Sequence, residues 1–336
     1  MTQPLSVVLI GGGRIAVGNV GLAGDVPLSH AAAIRAVGGE VAQLTAVVEP
    51  DASRRAKLAQ DGLPVMADMA QVPVDPLEVV VIATPSDVRK QPFEQALART
   101  PSAIVVEKPL SPASEEAREM VRLADQAGVP VFVNYNRRTD DRIRNRIGRL
   151  VQAGVKGIHV AYGRGMANYA SHAVDLIRFG WGDVRSVRWL SGLAAGSRGI
   201  DPSPGFAMTL ECGMSAVFQG YEGLDYDLFD LRFRTASGEV TFLAGGAEIV
   251  DRRADPGRYY DGYSHLGDGM SDRAAVAGFT GLYRQLQAVL TGGNRSDLCS
   301  GKDALATAAV LDAVGQSSKQ DGAPVRPAYS IGNGKE

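Results

Sequence analysis

The residues of this chain that could do chemistry lie in two short segments. Lys108 follows the apolar run 104–106 and stands in the sequence Glu107-Lys108-Pro109. A lysine at such a position can donate a hydrogen bond to a substrate oxygen, or it can extend from the end of a strand into water. His172 could accept a proton, or it could cap or pack a helix as a structural histidine. Asp175 would lie on the same helix face and could orient the imidazole, or it could serve in packing.

A glycine-rich turn near the N-terminus indicates a site for phosphate groups. Residues 5–10, which are apolar except for Ser6, predict a buried parallel strand, and the sequence Gly11-Gly12-Gly13-Arg14-Ile15-Ala16 follows at once. In a turn of this type the first glycine permits the tight bend, and the second lets a pyrophosphate approach the main chain. The following helix would present its N–H groups to the phosphates. The predicted dinucleotide contacts in this turn are Gly11, Gly13, Arg14 and Ile15.

Alternating strands and helices predict the fold that positions these residues. Three further apolar runs end at Glu49, at Thr84-Pro85 and at Glu107, and a fifth strand is predicted over residues 129–133. This alternation is typical of a doubly wound parallel sheet, in which ligands bind at the C-terminal ends of the strands. We therefore predict an α/β fold that begins with a Rossmann domain over residues 1–133. The strand-end residues predicted to contact the cofactor are Glu49, Thr84, Pro85, Glu107 and Lys108.

Glu49 bears on which dinucleotide binds. In this fold the acid that ends the second strand accepts hydrogen bonds from the hydroxyls of the adenosine ribose. A carboxylate about 4 Å from a 2′-phosphate would repel it by about 1 to 4 kcal/mol, so Glu49 predicts NAD rather than NADP. Arg54 and Arg55 could reduce this repulsion, or they could form a solvated helix face. The segment Val17–Ser29, with three glycines, could be a lid over the cofactor or a tolerated surface insertion.

Composition excludes several other classes of protein. The chain has 336 residues, of which 45% are hydrophobic and 21% are charged, as in a globular protein of two domains. Its 35 basic and 37 acidic residues include no basic tail, so we expect no nucleic-acid partner. The two cysteines, Cys212 and Cys299, form neither a disulfide framework nor a zinc motif. With no apolar run long enough to span a membrane, we expect a cytoplasmic protein without a metal site.

The second half of the chain has the alternating pattern of half-buried strands. Apolar residues recur at every second position from Phe206 to Met214 and again from Phe229 to Phe233. A turn at Ala236-Ser237-Gly238 leads into a further strand. Helical spacing follows over residues 279–289, and an alanine-rich helix is predicted over residues 305–314. This half therefore predicts a second domain that mixes strands and helices.

These elements together resemble the Gfo/Idh/MocA family, named for glucose–fructose oxidoreductase and inositol 2-dehydrogenase. The matching motifs are the glycine turn, Glu49, Ala83-Thr84-Pro85, Glu107-Lys108-Pro109, residues 133–138 and the sequence His172-Ala173-Val174-Asp175. The resemblance implies an NAD(P)-dependent oxidoreductase that acts on sugars, inositols or their derivatives. It also implies a C-terminal α/β domain over residues 134–336 with a large, mostly antiparallel sheet. A homodimer or homotetramer and a cis Lys108–Pro109 bond are further expectations.

The resemblance also implies roles for single residues. Lys108 would position and polarise a substrate hydroxyl, and His172 would accept its proton. The predicted substrate contacts are Asn168, Tyr162, Arg164 and Arg137. An arginine such as Arg164 could bind a phosphate or a carboxylate, which would suit a nucleotide sugar or an acidic sugar.

Two positions depart from the family pattern. Asn168 stands where many members have a catalytic aspartate, and because an amide cannot take a proton, that task would move to His172. Arg89 stands where members often have a histidine after Thr-Pro. We expect an NAD-dependent dehydrogenase of sugars or nucleotide sugars. The alternatives are a sensor that binds NAD and a protein partner without catalysis, and an NAD-using glycosidase.

Overall fold

The chain divides into two compact units. The computed structural model describes residues 3–18, 27–73, 76–192, 201–256, 262–293 and 297–329. Unit 1 comprises Met1–Asp141 and Ala277–Leu305, and unit 2 comprises Arg142–Val276 and Ala306–Glu336. The division thus differs from the expected single boundary between residues 133 and 134, because a late segment returns to unit 1. That segment has an apolar face, and its Leu282 and Leu286 are buried in the core of unit 1.

Unit 1 contains the predicted Rossmann-type sheet. Its strands are β1 (Leu5–Ile10), β2 (Ala42–Val48), β3 (Val65–Met66), β4 (Val79–Ile82), β5 (Ala103–Val106), β6 (Val131–Val133) and β16 (Cys299–Ser300). Its helices are α1 (Arg14–Val17), α2 (His30–Val37), α3 (Ala52–Gln60), α4 (Lys90–Leu97), α5 (Ser114–Ala127) and α8 (Gly278–Leu290). The strand order is β16-β6-β5-β4-β1-β2-β3, with only β16 antiparallel to its neighbour among these described strands. β4 and β5 are buried along their whole length, which explains their continuous apolar sequences.

Unit 2 contains a large sheet that is mostly antiparallel, as the resemblance implies. Its strands in the described ranges are β7 (Gly157–Tyr162), β8 (Val184–Ser191), β9 (Gly205–Leu210), β10 (Ser215–Gly220), β11 (Phe229–Thr235), β12 (Gly238–Leu243), β13 (Glu248–Pro256), β14 (Ser264–Leu266) and β15 (Met270–Arg273). They are ordered β14-β13-β12-β11-β7-β10-β9-β8, with β15 paired to β13 and with β7 and β10 parallel. The remaining helices are α6 (Asp141–Ala153), α7 (Ser171–Trp181) and α9 (Gly301–Ser318).

The alternating strands bury one side chain in two, as the sequence pattern predicts, but β9 ends at Leu210. The predicted continuation to Met214 is wrong, because residues 211–213 form a turn in which Cys212 is exposed. Phe206, Met208 and Leu210 of β9 are each at most 1% exposed, as is Leu231 of β11. Among the helices of the described ranges, none has both the length and the apolar character needed to cross a membrane. Residues 19–26 of the predicted insertion lie outside the described residues.

Candidate functional site

The glycine turn joins β1 to α1 and leaves space beside its third glycine. Gly11 has a φ of +100°, and a Cβ there would lie 3.1 Å from main-chain atoms of Ala83 and Thr84. Gly11 is therefore required by the close approach of two strand ends. A Cβ at Gly13 would meet no other described residue within 4 Å. The main chain at Gly13 can thus be approached closely by a ligand such as a pyrophosphate, and Arg14 at the start of α1 is exposed.

Glu49 lies beside this turn, and its carboxylate is held in place. The residue is 3% exposed, and its Oε2 accepts hydrogen bonds from the Gly12 N–H at 2.9 Å and from Arg54 Nη1 at 3.2 Å. Its Oε1 accepts from the Asp51 N–H at 2.9 Å. Because each carboxylate oxygen has two lone pairs, such a carboxylate can still accept from a ribose hydroxyl. Arg54 is paired with Glu49, whereas Arg55 donates to main-chain carbonyls of residues 49 and 50.

Thr84 provides a direct test of whether this edge of the sheet suits a dinucleotide. Its Oγ1 is buried, and no atom of the described residues forms a hydrogen bond with it. A buried hydroxyl without a partner costs about 1 to 3 kcal/mol, so a ligand that supplies the partner would bind favourably there. Together with the space at Gly13 and the fixed carboxylate of Glu49, this hydroxyl fits a dinucleotide at the C-terminal ends of β1, β2 and β4.

Glu107 was predicted to contact the cofactor, but its carboxylate is used inside unit 1. Its Oε1 accepts hydrogen bonds from Asn134 Nδ2 at 2.7 Å and from His30 Nε2 at 2.9 Å, and the residue is 7% exposed. His30 is fully buried, and its Nδ1 lies 2.8 Å from the Tyr283 hydroxyl. Burial alone would raise the pKa of Glu107, but His30, Asn134 and Arg89 together hold it below its usual value. Glu107 is therefore not included in the proposed cofactor contacts.

Arg89 is buried next to the same strand ends. Its Nη2 donates to the Thr84 carbonyl at 2.6 Å, and its Nη1 donates to the main-chain carbonyls of Glu107 and Pro109. Burial lowers the pKa of Arg89 to about 10, although the charges of Glu107 and Asp87 act in the opposite direction. The guanidinium therefore stays positive at neutral pH.

Lys108 lies in the chain between Glu107 and Pro109, which carry two of the three carbonyls that Arg89 contacts. The Lys108–Pro109 bond is cis, as the resemblance implies, and the lysine is half-buried. Arg137, which was predicted to contact the substrate, also belongs to unit 1 and is half-buried. Its Nη1 lies 3.4 Å from Asn136 Oδ1.

In unit 2, the predicted residues lie around a π-helical turn. Residues Met166–Ala170 form this turn, and α7 follows directly. Such turns are rare in proteins and occur frequently at functional sites. The turn presents Asn168 at the surface, while His172 in the first turn of α7 is 7% exposed. The two carboxylate oxygens of Asp201 accept from the N–H groups of Ala167 and Asn168, each at 2.8 Å, and so fix the turn.

Tyr162 and Arg164 are used within unit 2. Tyr162 is fully buried, its hydroxyl donates to the Pro204 carbonyl at 2.6 Å, and burial raises its pKa. This placement does not offer the Tyr162 hydroxyl to a substrate, so we leave it out of the proposed contacts. Arg164 is exposed, and its Nε donates to Asp227 at 3.0 Å. The charge of Asp227 therefore opposes the anion-binding role that the sequence suggested for Arg164.

The sequence did not indicate which residues of these sites contact one another. Glu107 contacts Asn134 and His30, and His30 also contacts Tyr283. The partners are 27 to 253 positions apart in the chain, and no local pattern encodes such contacts. Asp201 likewise contacts the π-helical turn from more than 30 positions away. No group of three or more metal-ligating side chains occurs in the described parts of the chain.

Comparison with known proteins identifies similar sequences and folds. Residues 5–135 match the family model Gfo/Idh/MocA, described as an oxidoreductase family with an NAD-binding Rossmann fold. The inositol 2-dehydrogenase of Corynebacterium glutamicum is 33% identical over 121 residues, which are 34% of this chain and 35% of that protein. The 1,5-anhydro-D-fructose reductase of Ensifer adhaerens is 27% identical over 239 residues, covering 62% of this chain and 67% of that protein. The match to the inositol dehydrogenase thus spans about a third of its length.

Solved structures extend the similarity of fold to nearly the whole chain. A levoglucosan dehydrogenase in complex with NADH and L-sorbose superposes with a TM-score of 0.76 at 16% identity, covering 97% of this chain and 99% of that one. An oxidoreductase of Desulfitobacterium hafniense, described as NADPH-dependent, superposes with a TM-score of 0.79 at 18% identity, covering 99% of this chain and 100% of that one. Both share the combination of a Rossmann-type sheet with a second, mostly antiparallel sheet.

Proposed function

We propose that the chain, whose residues 5–135 match the Gfo/Idh/MocA oxidoreductase family model, is an NAD-dependent dehydrogenase of a sugar or polyol. The observation that most supports this proposal is the arrangement at one edge of the parallel sheet. The open space at Gly13, the fixed carboxylate of Glu49 and the half-buried Lys108 all follow the C-terminal ends of its strands. Ligands of doubly wound sheets bind at this edge.

The chain's own residues would bind and orient the dinucleotide. The main chain at Gly13 would bind the pyrophosphate, whereas Gly11, whose N–H donates to the Val48 carbonyl at 2.8 Å, would shape the turn. Glu49 would accept from the adenosine ribose, and the Thr84 hydroxyl would gain a hydrogen-bond partner. The carboxylate of Glu49 favours NAD over NADP, because it would repel a 2′-phosphate. When bound, the nicotinamide supplies the hydride chemistry.

Two residues would handle the proton of the substrate hydroxyl. Lys108 would donate a hydrogen bond to the substrate oxygen, and His172 would accept the proton as the carbinol carbon is oxidised. Asn168 would orient the substrate, since its amide donates and accepts hydrogen bonds but does not take a proton. These assignments follow the family resemblance, and the exposure of Asn168 on its π-helical turn supports its part.

The substrate we favour is a neutral sugar or polyol rather than a nucleotide sugar. Arg164, the candidate for binding a phosphate or carboxylate, donates to Asp227 at 3.0 Å, and Asp227 also accepts from the Tyr169 hydroxyl at 2.7 Å. The negative charge of Asp227 beside Arg164 reduces the net attraction that this arginine offers to an anion. The names inositol 2-dehydrogenase and 1,5-anhydro-D-fructose reductase among the relatives agree with a neutral substrate.

The test compares Lys108→Met and His172→Ala with wild type in turnover of inositols and neutral sugars. We expect turnover to fall by about 10²- to 10⁴-fold in each variant, because each removes a group that moves or holds a proton. NADH affinity, measured by fluorescence titration, should hardly change. Lys302→Met is the matched control, since Lys302 is an exposed lysine of unit 1 that pairs with Asp125 at 2.9 Å.

The outcomes separate the proposal from its alternatives. Wild-type turnover in both variants would refute the site assignment. Release of an aglycone without net NADH formation would indicate the glycosidase instead. Binding of NADH without turnover of any carbinol would favour the sensor. We also propose that the protein is cytoplasmic, which fractionation of cells would test. We propose further that it forms homodimers or homotetramers, which the mass of the purified protein in solution would test.

A further inference from the structure

We propose that Arg89 is a positioning residue for Lys108, because its guanidinium ties the main chain on both sides of Lys108 to the end of β4. This role rests on the proposed function, since the position of Lys108 matters for catalysis only if the lysine meets a substrate. Arg89 itself is 3% exposed and bonds to main-chain carbonyls of its own unit, which is why we assign it an indirect role.

The Arg89 guanidinium contacts the main chain just beyond the point where the regular pairing of β4 with β5 ends. The last paired residues of β4 and β5 are Ile82 and Val106, and one more main-chain hydrogen bond joins the Glu107 N–H to the Ile82 carbonyl at 3.0 Å. Beyond this point the chains separate into the segments that contain Thr84 and Lys108. The guanidinium then supplies the donors for the carbonyls of residues 84, 107 and 109. A buried carbonyl without a donor is costly, so these bonds fix the segments against each other.

The shape of the arginine side chain matters for this task. A guanidinium presents five N–H donors in a rigid plane, whereas an ammonium is a point charge on a flexible stem. One arginine can therefore bridge carbonyls from two strand ends with fixed geometry. A buried charged side chain does not by itself indicate a gain in the free energy of unfolding, because a protein with well-packed apolar side chains in its place is often as stable. The burial of Arg89 among carbonyls that flank Lys108 is better explained by a positional role.

A second set of contacts holds Glu107, the residue before Lys108, through its carboxylate. The Glu107 carboxylate accepts from Asn134 at 2.7 Å and from His30 at 2.9 Å, while the Glu107 carbonyl accepts from Arg89. The residue after the lysine, Pro109, is held through its carbonyl by the same arginine. Both neighbours of Lys108 are thus anchored.

The first arm of the test measures catalysis in Arg89→Ala and Arg89→Lys. We expect kcat of Arg89→Ala to fall about tenfold or more, equivalent to about 1.4 kcal/mol, with little change in KM for the sugar or polyol. Guanidinium ion added at millimolar concentration should restore part of the kcat of Arg89→Ala, because it can occupy the vacated space. Arg89→Lys keeps the charge without the planar fork and should recover only part of the activity.

The matched control is Arg99→Ala. Arg99 also belongs to unit 1, and its Nη1 donates to the Met69 carbonyl at 3.2 Å, so its loss also removes a bond from an arginine to the main chain. Guanidinium ion should not raise the kcat of this variant. Equal rescue of both variants would show a general effect of the ion and would overturn the proposed role.

The second arm needs neither substrate nor cofactor. Competitive acetylation of the lysines, followed by peptide mass spectrometry, gives the reactivity of Lys108 relative to the exposed Lys302. We expect this ratio to change in Arg89→Ala and in Arg89→Lys, and guanidinium ion to reverse the change in the alanine variant. If Arg89→Ala does not fold, Arg89→Lys decides alone. An unchanged ratio overturns the inference, whereas a changed ratio in a protein that oxidises no carbinol refutes only the proposed function.

Discussion

Replacing Glu49 by glutamine should shift the cofactor preference toward NADP. The substitution keeps the size of the side chain but removes the carboxylate, which in wild type accepts from the N–H groups of Gly12 and Asp51, each at 2.9 Å. An amide has only one acceptor oxygen, so one of these two N–H groups loses its partner. We therefore expect Glu49→Gln to be less stable by about 1 to 3 kcal/mol.

The effect on cofactor preference follows from charge. A carboxylate and a phosphate about 4 Å apart repel each other by about 1 kcal/mol in water and about 4 kcal/mol near a protein surface. Arg54 Nη1 lies 3.2 Å from the Glu49 carboxylate and offsets part of this repulsion, so the lower part of the range applies. We expect the ratio of the NADPH and NADH dissociation constants to fall about tenfold, equivalent to about 1.4 kcal/mol.

Fluorescence titrations with NADH and NADPH measure this ratio in wild type and in Glu49→Gln. The double variant Glu49→Gln with Arg54→Ala should show a smaller gain in NADPH affinity than Glu49→Gln, because Arg54 is then no longer available to the 2′-phosphate. Glu78→Gln is the matched control, since Glu78 also accepts from a main-chain N–H, that of Ser6 at 2.6 Å. If Glu49→Gln folds and the ratio stays at the wild-type value, the Glu49 carboxylate does not face the ribose.

Two further predictions concern the glycine turn and Glu107. Gly13→Ala should keep the wild-type melting temperature but weaken NADH binding. Gly11→Ala should lose about 1 to 2 kcal/mol of stability or more, because Gly11 has a φ of +100° and an added Cβ would lie 3.1 Å from main-chain atoms. Thermal unfolding and NADH titration measure both effects, and equal melting temperatures for the two variants would contradict this prediction. The pKa of Glu107 is lower in the folded protein than its ordinary value of 4.5. The ionised carboxylate therefore stabilises the folded state at any pH above 4.5, and this stabilisation is lost as the pH falls through the lower pKa of the folded protein. The difference in melting temperature between wild type and Glu107→Gln should therefore be largest near neutral pH and shrink in acid, and a difference independent of pH would refute it.

The sequence predicted the strands of unit 1 well for a physical reason. In a parallel sheet covered on both faces, each strand is apolar throughout, so β4 and β5 appear as uninterrupted apolar runs and β1 is interrupted only by Ser6. The unit boundary was harder to predict. The helical spacing of Leu282 and Leu286 predicts a helix with an apolar face, but it does not say which core that face joins.

The candidate site was predictable where a motif depends on neighbouring residues. The glycine turn and Glu107-Lys108-Pro109 are local, and the structure shows the strand-to-helix turn and the cis bond that were expected of them. The sequence pattern around Tyr162 indicates that its side chain is buried. Ile158, Val160 and Tyr162 alternate in β7, and this alternation already indicates that all three side chains face the core.

The contacts among Glu107, His30 and Tyr283, which no local motif encodes, depend on the return of α8 to unit 1. Burial and the nearby charge of Glu107 raise the pKa of Tyr283 well above its usual value, so its hydroxyl stays protonated. Glu107, held ionised, can only accept, so His30 donates to it through Nε2, and in a neutral imidazole Nδ1 then accepts from the Tyr283 hydroxyl. Tyr283 lies on α8, the helix that returns to unit 1 from late in the chain. The same return of α8 to unit 1 therefore also supplies the second hydrogen-bond partner of His30, whose other ring nitrogen contacts Glu107, the residue next to Lys108.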